Sequence, residues 1–433
     1  MAPLDTQLVR RLREQAGVRL AQQRRQDEES GIPPMRLEDE RQFARSVIAG
    51  ALAEHVEDEA RQGRLLPTPD EERDLVEAVH AALYGAGPLQ PLLEDPQIEN
   101  ININGDRTFV RYAGGRKVRL GPLVGSDEEL YTLVQTLAAT SGLSSRAWDS
   151  LNAELDLTLP DGSRLSAVRD VSKRPALSIR RNRIGKVRLD ALVENGTVPP
   201  DVAAFLRAAV LAKKNIIIAG ATDSGKTTLL RALANEIHPD ERLITIERSL
   251  ELGLDEFEDL HPDIVVMEER LANSEGEGAV TMADLVRRSL RQDPDRVIVG
   301  EVLGGEIVTM LQAMSQGNDG SLSTIHARDS SEVWNRIATY ALTAKERLPI
   351  EASHMLIAGS VHFVAFLKKV RDPHTGEKVR RLMSIREVNG FDQRVQSSEV
   401  FKMAPHGVLM PAAQLTCLDE LADFGYLPGG GWL

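Results

Sequence analysis

The stretch GATDSGKT at residues 220–227 constrains this chain more than any other, because it follows the apolar run NIIIAG and opens a segment of helical character. A strand that ends in a glycine loop and restarts as a helix belongs to a parallel α/β sheet. Gly220, Ala221, Thr222, Asp223, Ser224 and Gly225 are mostly small, so successive backbone N–H groups can turn inward around a phosphate. The helix N-terminus adds positive partial charge, Lys226 neutralises β and γ oxygens, Thr227 can ligate Mg²⁺, and Thr228 continues the first turn. Asp223 is the misfit: its carboxylate repels phosphate unless the side chain faces solvent.

Around that loop the chain changes character four times. Residues 8–25 place Leu8, Leu12, Val18 and Leu20 among many arginines, which predicts an exposed helix, a solvated tail. Residues 37–62 and 69–83 also predict helices, the second capped by Thr68 or Asp70, so 1–83 forms a helical N-terminal extension. Short β-rich runs then follow (IENININ, TFVRYAG, KVRL, ELDLTLPDGSRLSAV, ALSIRR), interrupted by a helix over 127–141. They predict an α+β domain, drawn over 84–194 with its β-rich part ending near Arg183, and ENGTVPP (194–200) supplies the linker placed at 195–200. From 201 to 391, helices alternate with the buried strands NIIIAG, RLITIE, IVVM and RVIVGE, which predicts a parallel sheet wrapped by helices. VHFVAFLKKV and VRRLMSIREV flank a turn as a late antiparallel hairpin. Residues 392–433 are weakly patterned and end in PGGGWL, as expected of a C-terminal tail.

Composition excludes several alternatives. At about 150 residues per domain, 433 residues make three domains, or two with an extension. The charge balance of 52 Lys and Arg against 65 Asp and Glu gives −13, which argues against a nucleic-acid coat; no direct nucleic-acid partner is expected. One cysteine, Cys417, leaves neither a disulfide framework nor a multi-cysteine zinc module, and a reducing cytoplasm is the simple expectation. The first 25 residues lack the apolar core of a secretory signal. The most apolar long stretch, 352–367, is broken by Ser353, His354, Ser360 and His362, so no transmembrane segment is expected.

Hydrolysis of a bound nucleotide needs a carboxylate at the end of a neighbouring strand. Glu301 ends RVIVGE and should emerge at the carboxyl edge of the sheet, where open α/β folds bind ligands. Without the loop it would be an ordinary solvated carboxylate; beside the loop it becomes the candidate base. Glu247 ends RLITIE, with Glu251 shortly after, and either can ligate Mg²⁺ through water or merely cap a turn. His326, in GNDGSLSTIHA, is either a structural imidazole or a sensor of the γ-phosphate. Arg164, Arg180, Arg181 and Arg183 precede the loop, as solvated arginines or as charge supplied to the transition state.

Taken in order, these motifs resemble the ATPases of the type II/type IV secretion superfamily, nearest to the tight-adherence (Flp) pilus assembly branch, with conjugation-type traffic ATPases as close relatives. The resemblance runs over residues 85–388, from GAGPLQPLLEDPQIENININGDRTFVRY through LPDGSRLSAV and LSIRR. The family's Walker A falls on 220–227, its Asp box on TIERSLEL, its Walker B on VIVGE and its His box on GNDGSLSTIHA. The resemblance implies a RecA-like P-loop ATPase core behind an α+β domain, with ATP and Mg²⁺ as cofactors. Catalysis would fall to Glu301, Lys226, His326, Arg180 and Arg164, and the metal to Thr227, Glu247 and Glu301. It further implies a homo-oligomer, a hexamer, acting on an inner-membrane platform protein from the cytoplasmic face to assemble pili or export protein. Three positions depart from the pattern: Arg248 stands where the Asp box has aspartate, Leu303 replaces an arginine after Walker B, and Asn318 replaces the first histidine of the His box. With a conjugation-type translocation ATPase as one alternative, Asp223, Arg248 and Leu303 leave a nucleotide-binding scaffold with little hydrolysis as another. The single cysteine separates the chain from relatives with a four-cysteine zinc module.

Overall fold

In the computed structural model, the residues described are 6–30, 35, 37–64, 66–112, 115–140, 148–150, 152–181, 185–270, 272, 276–315, 317, 319–372, 376–404 and 407–427. Arg183, Asn318 and the closing PGGGWL, all singled out above, lie outside them. The chain divides into two units, Met1–Arg183 and Ile184–Leu433.

In the first unit, α1 (Thr6–Glu29), α2 (Leu37–Arg61) and α3 (Pro69–Tyr84) pack together. Leu12 and Ala16 of α1 are buried with Ile48, Ala51, Leu52, Leu75 and Val79, so α1 is not the solvated tail its arginines suggested. Leu12, Ala16 and Leu20 lie four residues apart and form one narrow apolar stripe. Thr68, not Asp70, caps α3: its hydroxyl accepts the Glu71 N–H at 3.3 Å while the Glu71 carboxylate accepts the Thr68 N–H at 2.7 Å.

After α4 (Gln90–Glu94) come β1 (Ile98–Asn104), β2 (Arg107–Tyr112), β3 (Lys117–Leu120), α5 (Asp127–Thr140), β4 (Glu154–Thr158), β5 (Arg164–Val168) and β6 (Ala176–Arg180). The strands form an antiparallel sheet in the order β3-β2-β1-β6-β5-β4. Alternation sends Ile101, Ile103, Leu165, Leu177 and Ile179 into a core shared with Leu130, Val134 and Leu137 of α5. Arg164 and Arg180 occupy the other face, directly opposite each other across β5 and β6.

The second unit opens with α6 (Leu189–Glu194) and α7 (Pro200–Leu211). Then follow β7 (Ile216–Gly220), α8 (Lys226–Ala234), β8 (Leu243–Glu247), β9 (Ile264–Glu268), α9 (Met282–Ser289), β10 (Arg296–Val302), α10 (Glu306–Met314) and β11 (Leu322–His326). The chain ends with α11 (Glu332–Thr343), α12 (Ile350–Ala358), β12 (Phe363–Arg371), β13 (Lys378–Asp392), β14 (Arg394–Met403), β15 (Leu409–Pro411) and α13 (Leu418–Ala422). One sheet runs β15-β14-β13-β12-β7-β11-β10-β8-β9. It is parallel from β9 to β12 and antiparallel from β12 to β15. Helices cover both faces, so the central strands are apolar throughout: Ile216 and Ile218 point into one core, Ile217 and Ala219 into the other.

Two further expectations change. Residues 195–200 do not separate the units; Leu192 and Val198 are buried in the second core, and Thr197 O accepts the Leu382 N–H at 2.9 Å. Nor is 392–433 a tail: β14 pairs with β13, and Val400, Phe401, Leu409, Leu421 and Tyr426 complete one face of the core. Phe401 packs tilted and Tyr426 edge-on against Phe205, at 5.1 and 5.5 Å between ring centroids. Their contacts are long-range, so no local periodicity announces them.

Candidate functional site

The loop between β7 and α8 has the backbone its glycines require. A Cβ on Gly220 would lie 2.5 Å from both Leu367 O and Ser224 Oγ, and Gly225 has φ +98° at the N-cap of α8. Asp223 also adopts a left-handed φ of +62°, which aspartate tolerates better than most residues. Ser224 is buried and its hydroxyl has no hydrogen-bond partner among the described residues, a polar atom awaiting an anion at the mouth of a helix. Phosphates therefore fit this loop.

Parallel pairing sets His326 opposite Gly220 and Ile325 opposite Val302, so β7, β10 and β11 deliver their ends to one edge. There Lys226 is nearly buried, its Nζ donating to Ala221 O at 3.3 Å and lying 3.7 Å from Glu301 Oε1. The same Nζ is 3.4 Å from His326 Nδ1, while His326 Nε2 is 2.9 Å from Glu301 Oε1. Burial and the Lys226 ammonium push the His326 pKa below its ordinary value, against the pull of Glu301. The lowered pKa favours the neutral ring at pH 7, with Nε2 facing the carboxylate and Nδ1 the ammonium.

Thr227 and Thr228 occupy the first turn of α8. Glu247 is buried at the end of β8, where its carboxylate accepts the N–H groups of Glu251 at 2.9 Å and Leu252 at 3.1 Å. Gly300 makes room for it, since a Cβ there would fall 2.9 Å from Glu247 Cγ. The structure thus gives Glu247 a turn-holding role, the role that the sequence suggested for Glu251 in particular. Arg164 and Arg180 belong to the first unit. Of the departures, Arg248 pairs with Glu269 at 3.0 Å, and the Leu303 and Gly304 N–H groups donate to Glu306 Oε1 at 2.6 and 2.9 Å.

Asp223 does not face solvent alone. Lys369 of β12 and Arg380 of β13 each bond one of its carboxylate oxygens, and Arg380 Nε also donates to Asp223 O at 3.1 Å. Burial raises its pKa, but the two cations outweigh that and hold it below the usual carboxylate range. Sequence reasoning missed both partners; the available signal was an acidic residue in a phosphate loop together with a basic hairpin.

Residues 145–408 match the family described as "Type II/IV secretion system protein". The chain belongs to this family. The matched span contains Arg164, Arg180, the whole loop, Glu247, Glu301 and His326. "Putative conjugal transfer protein Rv3659c" of Mycobacterium tuberculosis (strain ATCC 25618 / H37Rv) is 33% identical over 343 residues, covering 77% of this chain and 92% of that protein. "Type IV secretion system protein VirB11" of Brucella suis biovar 1 (strain 1330) is 29% identical over 299 residues, 62% of this chain and 81% of that one. The solved structure of the Legionella pneumophila ATPase DotB shares the fold, with a TM-score of 0.50 and 22% identity over 70% of this chain and 80% of that chain. In this secretion-family chain, no helix among the described residues is long and apolar enough to cross a membrane.

Proposed function

We propose that this chain is an Mg·ATP-hydrolysing motor that powers pilus assembly or protein export through a secretion machine. The observation that carries this reading is the convergence of Lys226, Glu301 and His326 beside the glycine loop. Loop N–H groups and Lys226 hold the β and γ phosphates, and Ser224 and Thr227 add hydroxyls. Glu301 Oε1 carries the contacts to His326 and Lys226, so Oε2 is the oxygen that takes a proton from attacking water. Neutral His326 keeps that carboxylate oriented without adding a second cation beside Lys226. Mg²⁺, when bound, draws charge from the phosphate oxygens. Thr227 and Glu301 are its candidate holders, with Glu247 acting through water.

The ring is a hexamer in this proposal, working at the cytoplasmic face of the inner membrane on a platform protein of the tight-adherence (Flp) type. Arg164 and Arg180 supply positive charge to the nucleotide. The conjugal-transfer relative favours a second reading, a conjugation-type motor. Neighbouring genes for pilins and a platform protein support the first; relaxase genes support the second.

The test is Mg²⁺-dependent phosphate release by the full chain, with Lys226→Ala as control. Turnover that survives in Lys226→Ala, with parental ATP affinity, overturns the loop assignment.

A further inference from the structure

Lys369 and Arg380 are direct cross-strand partners in the β12–β13 hairpin. Like charges placed opposite each other destabilise a strand pair unless an anion lies between them. The next alternate pair on the same face, Arg371 with Lys378, is also basic, so the hairpin offers no carboxylate of its own there. Asp223 is that anion, reaching both cations from the phosphate loop. The need is mutual, since a carboxylate inside a phosphate loop repels the ligand the loop is built to hold. Arg380 also lies against the loop backbone: its Cδ is 3.0 Å from where a Cβ on Gly225 would sit.

We propose that Lys369 and Arg380 are positioning residues for nucleotide binding: a counter-charge clamp that holds the Asp223 carboxylate out of the phosphate cradle. Nucleotide affinity then depends on a hairpin that is remote in sequence from the loop. This proposal rests on the nucleotide-binding reading above.

The experiment is calorimetric titration of full-length protein with Mg·ADP. The variants are Asp223→Asn, the double variant Lys369→Met with Arg380→Met, and the triple variant combining all three, with melting temperature as a check on folding. Released from its partners, the carboxylate turns on the phosphates, so the double variant binds roughly tenfold more weakly or worse. The triple variant lacks both cations and charge, and returns to within about threefold of the parent, a rescue that a merely structural clamp cannot give. Asp223→Asn alone binds severalfold tighter, because it removes repulsion and leaves two cations beside the phosphates. Should the double variant fail to fold, Lys369→Met with and without Asp223→Asn shows the same order with smaller changes.

Parent-like binding by the double variant overturns the proposal. So does a triple variant as weak as the double, or a loss of affinity in Asp223→Asn alone. A parent chain that binds no Mg·ADP overturns this proposal and the nucleotide-binding reading together; parental binding with unmoved variants overturns the clamp only.

Discussion

His326 Nε2 lies 2.9 Å from Glu301 Oε1, joining the ends of β11 and β10. Replacing Glu301 with Gln keeps a similar shape and removes both a base and the one nearby carboxylate that raises the His326 pKa. Two outcomes are expected together. Phosphate release falls by about a hundredfold or more while ATP still binds. The His326 pKa, followed by histidine-selective NMR, drops further below its ordinary value. Unchanged turnover would place the base elsewhere, and an unmoved imidazole would break the electrostatic link.

Arg180 stands directly opposite Arg164 across β6 and β5. If they serve the nucleotide, Arg180→Ala lowers turnover at least about tenfold without changing oligomeric state, below the span seen for arginine fingers. Phosphate release at several protein concentrations, with light scattering alongside, is the measurement. Parental turnover would leave Arg180 as a surface residue of the first unit.

His261 gives a pH signature independent of catalysis. It is buried, with Nε2 2.9 Å from Asn235 Oδ1, and burial pushes its pKa down to about 4. The unfolded chain binds this proton near pH 6.5, so protonation favours unfolding. The stability contribution is intact above about pH 6.5 and drains away as pH falls towards 4, amounting to roughly 2 kcal/mol by pH 5. His261→Gln retains a donor for Asn235 and removes the titration. Between pH 7.5 and pH 5 the parent's melting temperature should fall further than the variant's; parallel curves would refute it.

Phe401→Ala tests whether the C-terminal strands belong to the core. Phe401 is buried and its ring packs on Phe205 at 5.1 Å. Truncation is expected to cost about 3–5 kcal/mol, read as an earlier unfolding transition in denaturant. A shift below about 0.5 kcal/mol is the size of an ordinary surface substitution and would return this segment to the surface.

Elements whose signals are local were legible along the chain. The glycine loop between an apolar strand and a helix, the fully apolar strands of a sheet covered on both faces, and the hairpin around a polar turn all follow from periodicity and turn chemistry. Glu301 and His326 were readable as strand-end residues because parallel strands deliver their carboxyl ends to one edge. Features that depend on partners far away in the chain emerged with the folded sheet and its helices. The four-residue spacing of Leu12, Ala16 and Leu20 shows as a buried stripe in the fold, Leu12 and Ala16 packing with residues of α2 and α3. Val400, Phe401 and Tyr426 gain their meaning from Phe205 and the rest of that core. Glu247 holds its own turn because Gly300 on the neighbouring strand leaves it room. Asp223 reads as a misfit along the chain and is neutralised by Lys369 and Arg380, some 146 and 157 residues away. Periodicity records which way a side chain faces, but charge compensation depends on through-space distance, which is fixed only when the sheet closes.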